Sequence, residues 1–371
     1  MGTQPFEFEA RCRRIQENMV REGVDYLFVG PSADLTYVIG FLGPQSERLT
    51  QLVIPAEGDE IRFFLPSFER KTAAPLASFF ELVTWEETEK PTAKLARLIP
   101  DRGRGKRVSV AKKTYAHFAY CIQEQMPEAY FVPGGPCIDP VRMHKDPIEL
   151  GCLAVASECA DRVFSELIES GLVNLTEKEI KTRTVELVKK HGLVASDGII
   201  VGVGANGASP HHHVGNTSLQ CGDSVVIDLG GVYRGYYSDM TRTIHVGDPS
   251  LKFQRVYDVV REANEKAFAA VRPGIAAETI DSIARDHISA AGYDDYFPHR
   301  TGHGIGLEVH EPPYISCGNK TILKEDMTFC IEPGIYIDDH FGVRLEDVVV
   351  VTADGAMRLN KTARKLAVIS K

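Results

Sequence analysis

Val225-Val-Ile-Asp-Leu-Gly-Gly-Val-Tyr-Arg-Gly-Tyr-Tyr-Ser-Asp-Met-Thr-Arg-Thr243 reads as two strands around a tight turn near Tyr233-Arg234. A hairpin centred there sets Asp228 opposite Asp239, with Cβ atoms about 5 Å apart. Two aspartates that close, in strands otherwise apolar enough to be buried, repel each other unless one is protonated or cations lie between them. Downstream, Phe329-Cys-Ile-Glu-Pro-Gly-Ile-Tyr336 and Gly342-Val-Arg-Leu-Glu-Asp-Val348 flank the polar turn Asp338-Asp-His340. Glu332 and Glu346 are equidistant from Asp339, so a centred turn again places two carboxylates side by side. Any one of these residues, taken alone, would be expected at a strand end facing water. Their pairing is what points to a metal site.

The remaining sequence places these hairpins in the second of two domains. A chain of 371 residues exceeds what one hydrophobic core usually serves. The first part alternates helical patterns with β-rich runs at 26–29, 51–54 and 61–65, the rhythm of an α/β domain. Val132-Pro-Gly-Gly-Pro136 breaks that rhythm, and Asp146-Pro147 then opens a helix over 147–170. The expected boundary is therefore near 143, dividing the chain into 1–143 and 144–371. Thr176-Glu-Lys-Glu179 has capping-box spacing ahead of a helix ending near His191, and further helices are predicted over 250–271 and 277–291. Strand runs at 223–233, 236–246, 328–337 and 343–352 make this domain α+β with antiparallel hairpins. No internal sequence repeat is evident.

Composition narrows the function. With 43% hydrophobic and 25% charged residues, the chain has the make-up of an ordinary globular protein. Its net charge of -9 argues against a nucleic-acid partner. The start, MGTQPFEFEA, lacks the pattern of a secretory signal, and no stretch approaches 18 apolar residues, so a cytoplasmic protein without membrane association is expected. Eight cysteines form no CxxC pair and no short-domain framework, and read as mostly buried, reduced thiols.

Three motifs mislead. Gly202-Val-Gly-Ala-Asn-Gly207 matches the dinucleotide fingerprint, but Ala208-Ser-Pro-His follows where a helix should open. His310-Glu311 is no HExxH zinc site, because position 314 is Tyr and Pro312-Pro313 interrupts any helix. The triplet His211-His212-His213 reads by itself as a solvated loop.

Four carboxylates and one histidine can hold two divalent cations, whose positive charges balance the negative ones and generate hydroxide near neutral pH. The histidine is sought in His299-Arg-Thr-Gly-His-Gly-Ile-Gly-Leu-Glu-Val-His310, where glycines let the backbone turn sharply around His303.

Together the segments IDLGG, SDMTRT, HRTGHGIGLEVHEPP, IEPGIY and GVRLED resemble the pita-bread metallopeptidases, in particular the Xaa-Pro dipeptidase (prolidase) and Xaa-Pro aminopeptidase branch, over about 147–371. Ser32-Ala-Asp-Leu-Thr-Tyr37 looks like part of the smaller creatinase-type α/β domain of such proteins. The resemblance implies a pita-bread catalytic domain and metal ligands Asp228, Asp239, His303, Glu332 and Glu346. It also implies catalytic or supporting roles for His211, His299 and His310: His211 in substrate binding, and His310 in stabilising the oxyanion. Glu332 is the expected proton shuttle, and Arg344 is expected to orient a carboxylate.

Two manganese, cobalt or zinc ions would suit such a site, with manganese favoured. The expected substrate is a small peptide with proline second, and a homodimer is implied by the resemblance alone. Asp34 and Arg48 are a further expected pair, gripping a dipeptide's amine and carboxylate. The leading reading is a prolidase; an aminopeptidase acting on longer peptides is the alternative. Outside that class stand a hydrolase or lyase of an amide-like metabolite and a non-catalytic binding protein, which five retained ligands oppose.

Overall fold

The computed structural model describes residues 5–196 and 198–370. The chain divides into two compact units, Met1–Arg142 and Met143–Lys371. In the first unit the apolar runs become a six-stranded mixed sheet of β1 (Tyr26–Val29), β2 (Gln51–Pro55), β3 (Arg62–Pro66), β4 (Glu81–Trp85), β5 (Arg107–Val110) and β6 (Tyr130–Pro133), in the order β4-β3-β2-β1-β5-β6. Its helices are α1 (Phe8–Glu22), α2 (Ala33–Ile39), the short α3 (Arg70–Ala73), α4 (Pro91–Ala96), α5 (Ala116–Gln125) and α6 (Gly135–Met143). Phe28, Phe64, Trp85, Ile122 and Met126 pack in its core.

Asp34 and Arg48, expected to grip the two ends of a dipeptide, are each engaged by another side chain of the first unit. Asp34 is buried and bound at 2.6 Å by Arg142, whereas Arg48 reaches Glu87 at 2.8 Å on the surface. A buried carboxylate holds a cation that shares its desolvated environment, as Arg142 does for Asp34.

The second unit builds the same kind of half twice. In the first half, α7 (Pro147–Glu169) and α8 (Glu177–Lys190) cover a sheet of β8 (Ile200–Val203), β9 (Ser224–Leu229) and β12 (Met240–Val246). Beside that sheet lie the short strands β7 (Val194–Ala195), β10 (Gly231–Tyr233) and β11 (Tyr236–Tyr237). In the second half, α9 (Leu251–Ala270) and α10 (Ala277–Ala290) cover β13 (Gly302–Gly304), β14 (Glu311–Ile315), β15 (Thr328–Ile331), β18 (Asp347–Val351) and β19 (Ala356–Arg358). The ribbon β16 (Gly334–Ile337) and β17 (Phe341–Arg344) extends this half, and β20 (Ala367–Ile369) pairs with β12.

The helices start where their caps require. Asp146 and Thr176 each form a complete capping box, with Glu149 and Glu179 respectively. Phe253, Val256, Tyr257, Val260, Ala263 and Ala267 of α9 form the predicted apolar face, all buried against the second half's strands.

The four predicted strand runs differ from what is observed: each is interrupted. Breaks fall at Gly230, at Ser238-Asp239, at Glu332-Pro333 and at Leu345-Glu346, so three of the four carboxylates sit where the ladder is released. The first hairpin is also shifted from its expected register. Its loop is Arg234-Gly235, both with positive φ (50° and 90°), so Tyr233 faces Tyr236 and Asp228 faces Thr241. A two-residue turn with both φ values positive matches strand twist, and glycine at its second position makes it affordable. Asp239 is thereby one diagonal step from Asp228, on the same face.

The second hairpin keeps the expected register. Gly334 faces Arg344 and Ile331 faces Asp347, which leaves Glu332 and Glu346 opposite each other. The glycines of the false nucleotide motif serve close packing instead. A Cβ on Gly342 of β17 would lie 1.8 Å from the Gly207 carbonyl oxygen, so only glycine allows the two segments to cross.

Candidate metal centre

His303 is presented from β13 at 2% exposure. Its Nδ1–H donates to the Gly304 carbonyl at 3.2 Å, since a carbonyl can only accept, and this leaves the Nε2 lone pair free. Nε2 faces Glu332 Oε1 at 3.4 Å, Asp239 Oδ2 at 3.8 Å and Glu346 Oε1 at 3.9 Å. Burial, and then the neighbouring His310, pull the His303 pKa down to about 3, so the ring is neutral and able to ligate.

The carboxylates show the opposite shift. Burial, and then Glu346 together with Asp228, hold Asp239 well above the usual carboxylate range; burial and Glu346 do the same to Glu332. Glu346 is pushed up to about 7, by burial first and then by Asp228. Its Oε2 accepts from the Thr241 hydroxyl at 2.7 Å, whereas its Oε1 is buried without a hydrogen-bond partner. An orphaned buried carboxylate oxygen beside a free imidazole lone pair is what a divalent cation would satisfy, so the residues fit the metal that their chemistry implies.

Surrounding groups hold the donors in place. Arg344 Nη2 donates to Asp228 at 2.7 Å, its Nε to Thr241 at 3.2 Å and its Nη1 to the Tyr336 hydroxyl at 3.1 Å. The Tyr336 hydroxyl in turn meets His299 Nε2 at 2.8 Å, and His299 Nδ1–H donates to the Arg300 carbonyl at 2.8 Å. Both nitrogens of His299 are therefore engaged, and burial lowers its pKa to about 4. This neutral ring buttresses Tyr336 and Arg344. Helix α10 anchors the segment below: Asp281 accepts from Thr301 N at 3.0 Å, and Arg285 donates to the His299 carbonyl at 2.8 Å. Where the ladder breaks, the buried Asn264 of α9 donates to the carbonyls of Ile331 and Leu345 at 2.9 and 3.1 Å, each immediately before a carboxylate. Glu332 N bonds Thr301 O at 2.8 Å, and Glu346 N bonds Thr241 O at 3.1 Å.

His310 packs edge-on against His303 with centroids 4.2 Å apart. It lines a cavity of about 1130 Å³ together with His211, His299, Arg300, His303, Arg344 and the four carboxylates. Of the histidine triplet, His212 is bound to the buried Glu177 at 2.8 Å, which fixes the loop, while His211 is exposed at the cavity wall.

Sequence reasoning missed Thr241, Tyr336, Asn264 and Cys330. The Cys330 sulfur lies within 4.8 Å of donor atoms of Asp239, His303 and Glu346. Thr241 and Tyr336 were within reach, since both fall at strand positions beside residues already singled out. Asn264 carried no local signal.

A buried site of four carboxylates and one neutral imidazole defines a divalent-metal hydrolase. The description of metallopeptidase family M24 matches residues 151–353, and that of the creatinase/prolidase N-terminal domain matches residues 11–144. The chain belongs to metallopeptidase family M24, with a creatinase-type first domain ahead of a pita-bread catalytic domain. It is 35% identical to the probable dipeptidase PepE of Mycobacterium tuberculosis, covering 100% of this chain and 99% of that one. It is 34% identical to an Xaa-Pro dipeptidase of Lactobacillus delbrueckii, covering 96% and 98% respectively. The crystal structure of recombinant prolidase from Thermococcus sibiricus superposes with a TM-score of 0.92 at 36% identity, over 99% of this chain and 100% of that one.

Proposed function

We propose that this protein is an Xaa-Pro dipeptidase that hydrolyses the bond before proline with two divalent ions held by Asp228, Asp239, His303, Glu332 and Glu346. The observation that carries this reading is the convergence of Asp239, His303 and Glu346 on one another, with Glu332 3.4 Å from the same imidazole and Glu346 Oε1 left unpartnered. When bound, the two ions supply Lewis-acid polarisation of the scissile carbonyl and hydroxide near neutral pH.

The chain's own groups do the remaining work. Arg344 and Thr241 orient Asp228 and Glu346 before substrate arrives, so little reorganisation is needed during reaction. His310, on the cavity wall beside His303, donates to the oxygen on which negative charge develops. Glu332, the less buried glutamate of the pair, carries the proton to the departing proline nitrogen. His211 lines the entrance and contacts substrate, while His299 positions Tyr336. An Xaa-Pro bond has no N–H, so a site offering no acceptor there favours it over ordinary peptides.

Manganese is the proposed native metal, because hard oxygen donors dominate the set. A cytoplasmic homodimer is the proposed state. The test is product analysis with manganese-loaded protein on Leu-Pro, Leu-Pro-Gly and Leu-Gly. Cleavage of Leu-Pro alone is expected; cleavage of the tripeptide would make the enzyme an aminopeptidase, and no cleavage with any divalent metal would sink the reading.

A further inference from the structure

Cys330 is a free thiol with no part in the proposed reaction, and its place on β15 is informative. Its neighbours Phe329 and Ile331 pack in the core shared with α9 and α10. Alternation along the strand sends Cys330 to the opposite face, where its sulfur lies within 4.8 Å of donor atoms of Asp239, His303 and Glu346. The thiol is fully buried. Among the described residues, these four are the one group of three or more ligand-type side chains drawn so closely together.

One sulfur, one imidazole nitrogen and two carboxylate oxygens make a donor set different in character from the five groups proposed to hold the catalytic pair. Manganese favours oxygen donors, whereas zinc favours a set that includes thiolate, and zinc is the tighter binder of the two at most sites. In a tetrahedral zinc site with sulfur at about 2.3 Å and nitrogen or oxygen at about 2.0–2.2 Å, the donors stand roughly 3.3–3.6 Å apart. His303 Nε2 is already 3.8 Å from Asp239 Oδ2 and 3.9 Å from Glu346 Oε1. Closing the gap to the sulfur asks for a shift of about 1.3 Å at most, which small torsional adjustments of the aspartate and glutamate supply. Glu346 Oε1, buried without a hydrogen-bond partner, would find one in such an ion. His303 and two of the four carboxylates would then be occupied, and Asp228 and Glu332 alone are too few to hold a second ion.

We propose that Cys330 turns the centre into a trap for thiophilic divalent ions: one zinc ion held by Asp239, His303, Cys330 and Glu346 displaces the manganese pair and inactivates the enzyme. As the sulfur–zinc bond forms, the thiol proton passes to solvent. The inference rests on the metal-centre reading and not on which peptide is cleaved.

X-ray absorption at the zinc edge, on metal-free protein given one equivalent of zinc, tests it. Wild type is expected to show one sulfur neighbour at about 2.3 Å beside nitrogen and oxygen at about 2.0–2.2 Å, and Cys330→Ser only the latter. Zinc affinity should fall about 100-fold in Cys330→Ser, while manganese affinity, followed by electron paramagnetic resonance, changes less than about threefold. The zinc concentration that halves Leu-Pro cleavage by manganese-loaded protein should rise by a similar factor, about 100-fold.

Zinc surrounded by nitrogen and oxygen alone in wild type, or a sulfur neighbour that persists in Cys330→Ser, overturns the proposal and leaves the metal-centre reading intact. Failure of wild type to bind either zinc or manganese overturns both. If Cys330→Ser does not fold, as judged by circular dichroism, wild type with its accessible thiols alkylated decides, because Cys330 is buried. A retained sulfur neighbour then supports the proposal, and its loss overturns it.

Discussion

The two halves of the catalytic unit reach the same end by different routes. Each lays a helix pair over a sheet and offers two carboxylates from a broken hairpin. In the first half a two-residue turn sets Asp228 and Asp239 on a diagonal, and Asp228 is held by an arginine from the other half. In the second, a three-residue turn with Asp339 at a φ of 60° sets Glu332 opposite Glu346, and Asn264 in the covering helix satisfies the carbonyls freed at the breaks. Releasing a ladder at the carboxylate lets its side chain leave the pleat, but each released backbone group then needs a partner.

If both halves contribute to one centre, removing a carboxylate from either must be equally damaging. Asp239→Asn and Glu346→Gln are each expected to lower kcat/KM by on the order of a thousandfold, with lost metal by elemental analysis. A loss confined to one variant would mean that the halves do not share the centre. Breaking the link between them comes next. Arg344→Met leaves Asp228 without its cation, and a drop of about 3–5 kcal/mol in metal-free stability by urea unfolding is expected.

The strain shared by the carboxylates should depend on pH. Glu346 has a folded pKa of about 7, above its unfolded value, so its contribution is fully present below the unfolded pKa and is lost as pH rises through about 7. The metal-free protein should therefore melt at lower temperature at pH 8 than at pH 6, and manganese should raise the melting temperature more at pH 8. A smaller effect separates the covering helices. Asn264→Leu should cost about 1–3 kcal/mol, because it abandons two buried carbonyls. Ser157→Ala on α7 should change stability by less than about 0.5 kcal/mol, since the Ser157 hydroxyl has no hydrogen-bond partner.

The same contrast explains what could be read from the chain. The glutamate hairpin was legible because its turn is symmetric about Asp339, so equal spacing and register coincide. The aspartate hairpin was placed one residue too early, since an arginine with positive φ ahead of Gly235 gives no local sign. Helix starts at Pro147 and Glu177 followed from capping chemistry, which is local. The strand breaks were not legible, because they depend on partners far along the chain: Asn264 for Ile331 and Leu345, and Thr241 for Glu346. Burial had the same effect on Asp34, whose partner proved to be Arg142. His299, read as catalytic, has its two nitrogens taken up by Tyr336 and a backbone carbonyl, an arrangement that no motif states.

The central claim is that the two hairpins together hold a pair of divalent ions, and manganese titration of metal-free protein followed by electron paramagnetic resonance tests it most directly. Two equivalents bound per chain, with the multiline spectrum of exchange-coupled manganese, is the predicted result. Saturation at one equivalent, or two ions giving only uncoupled signals, would contradict it.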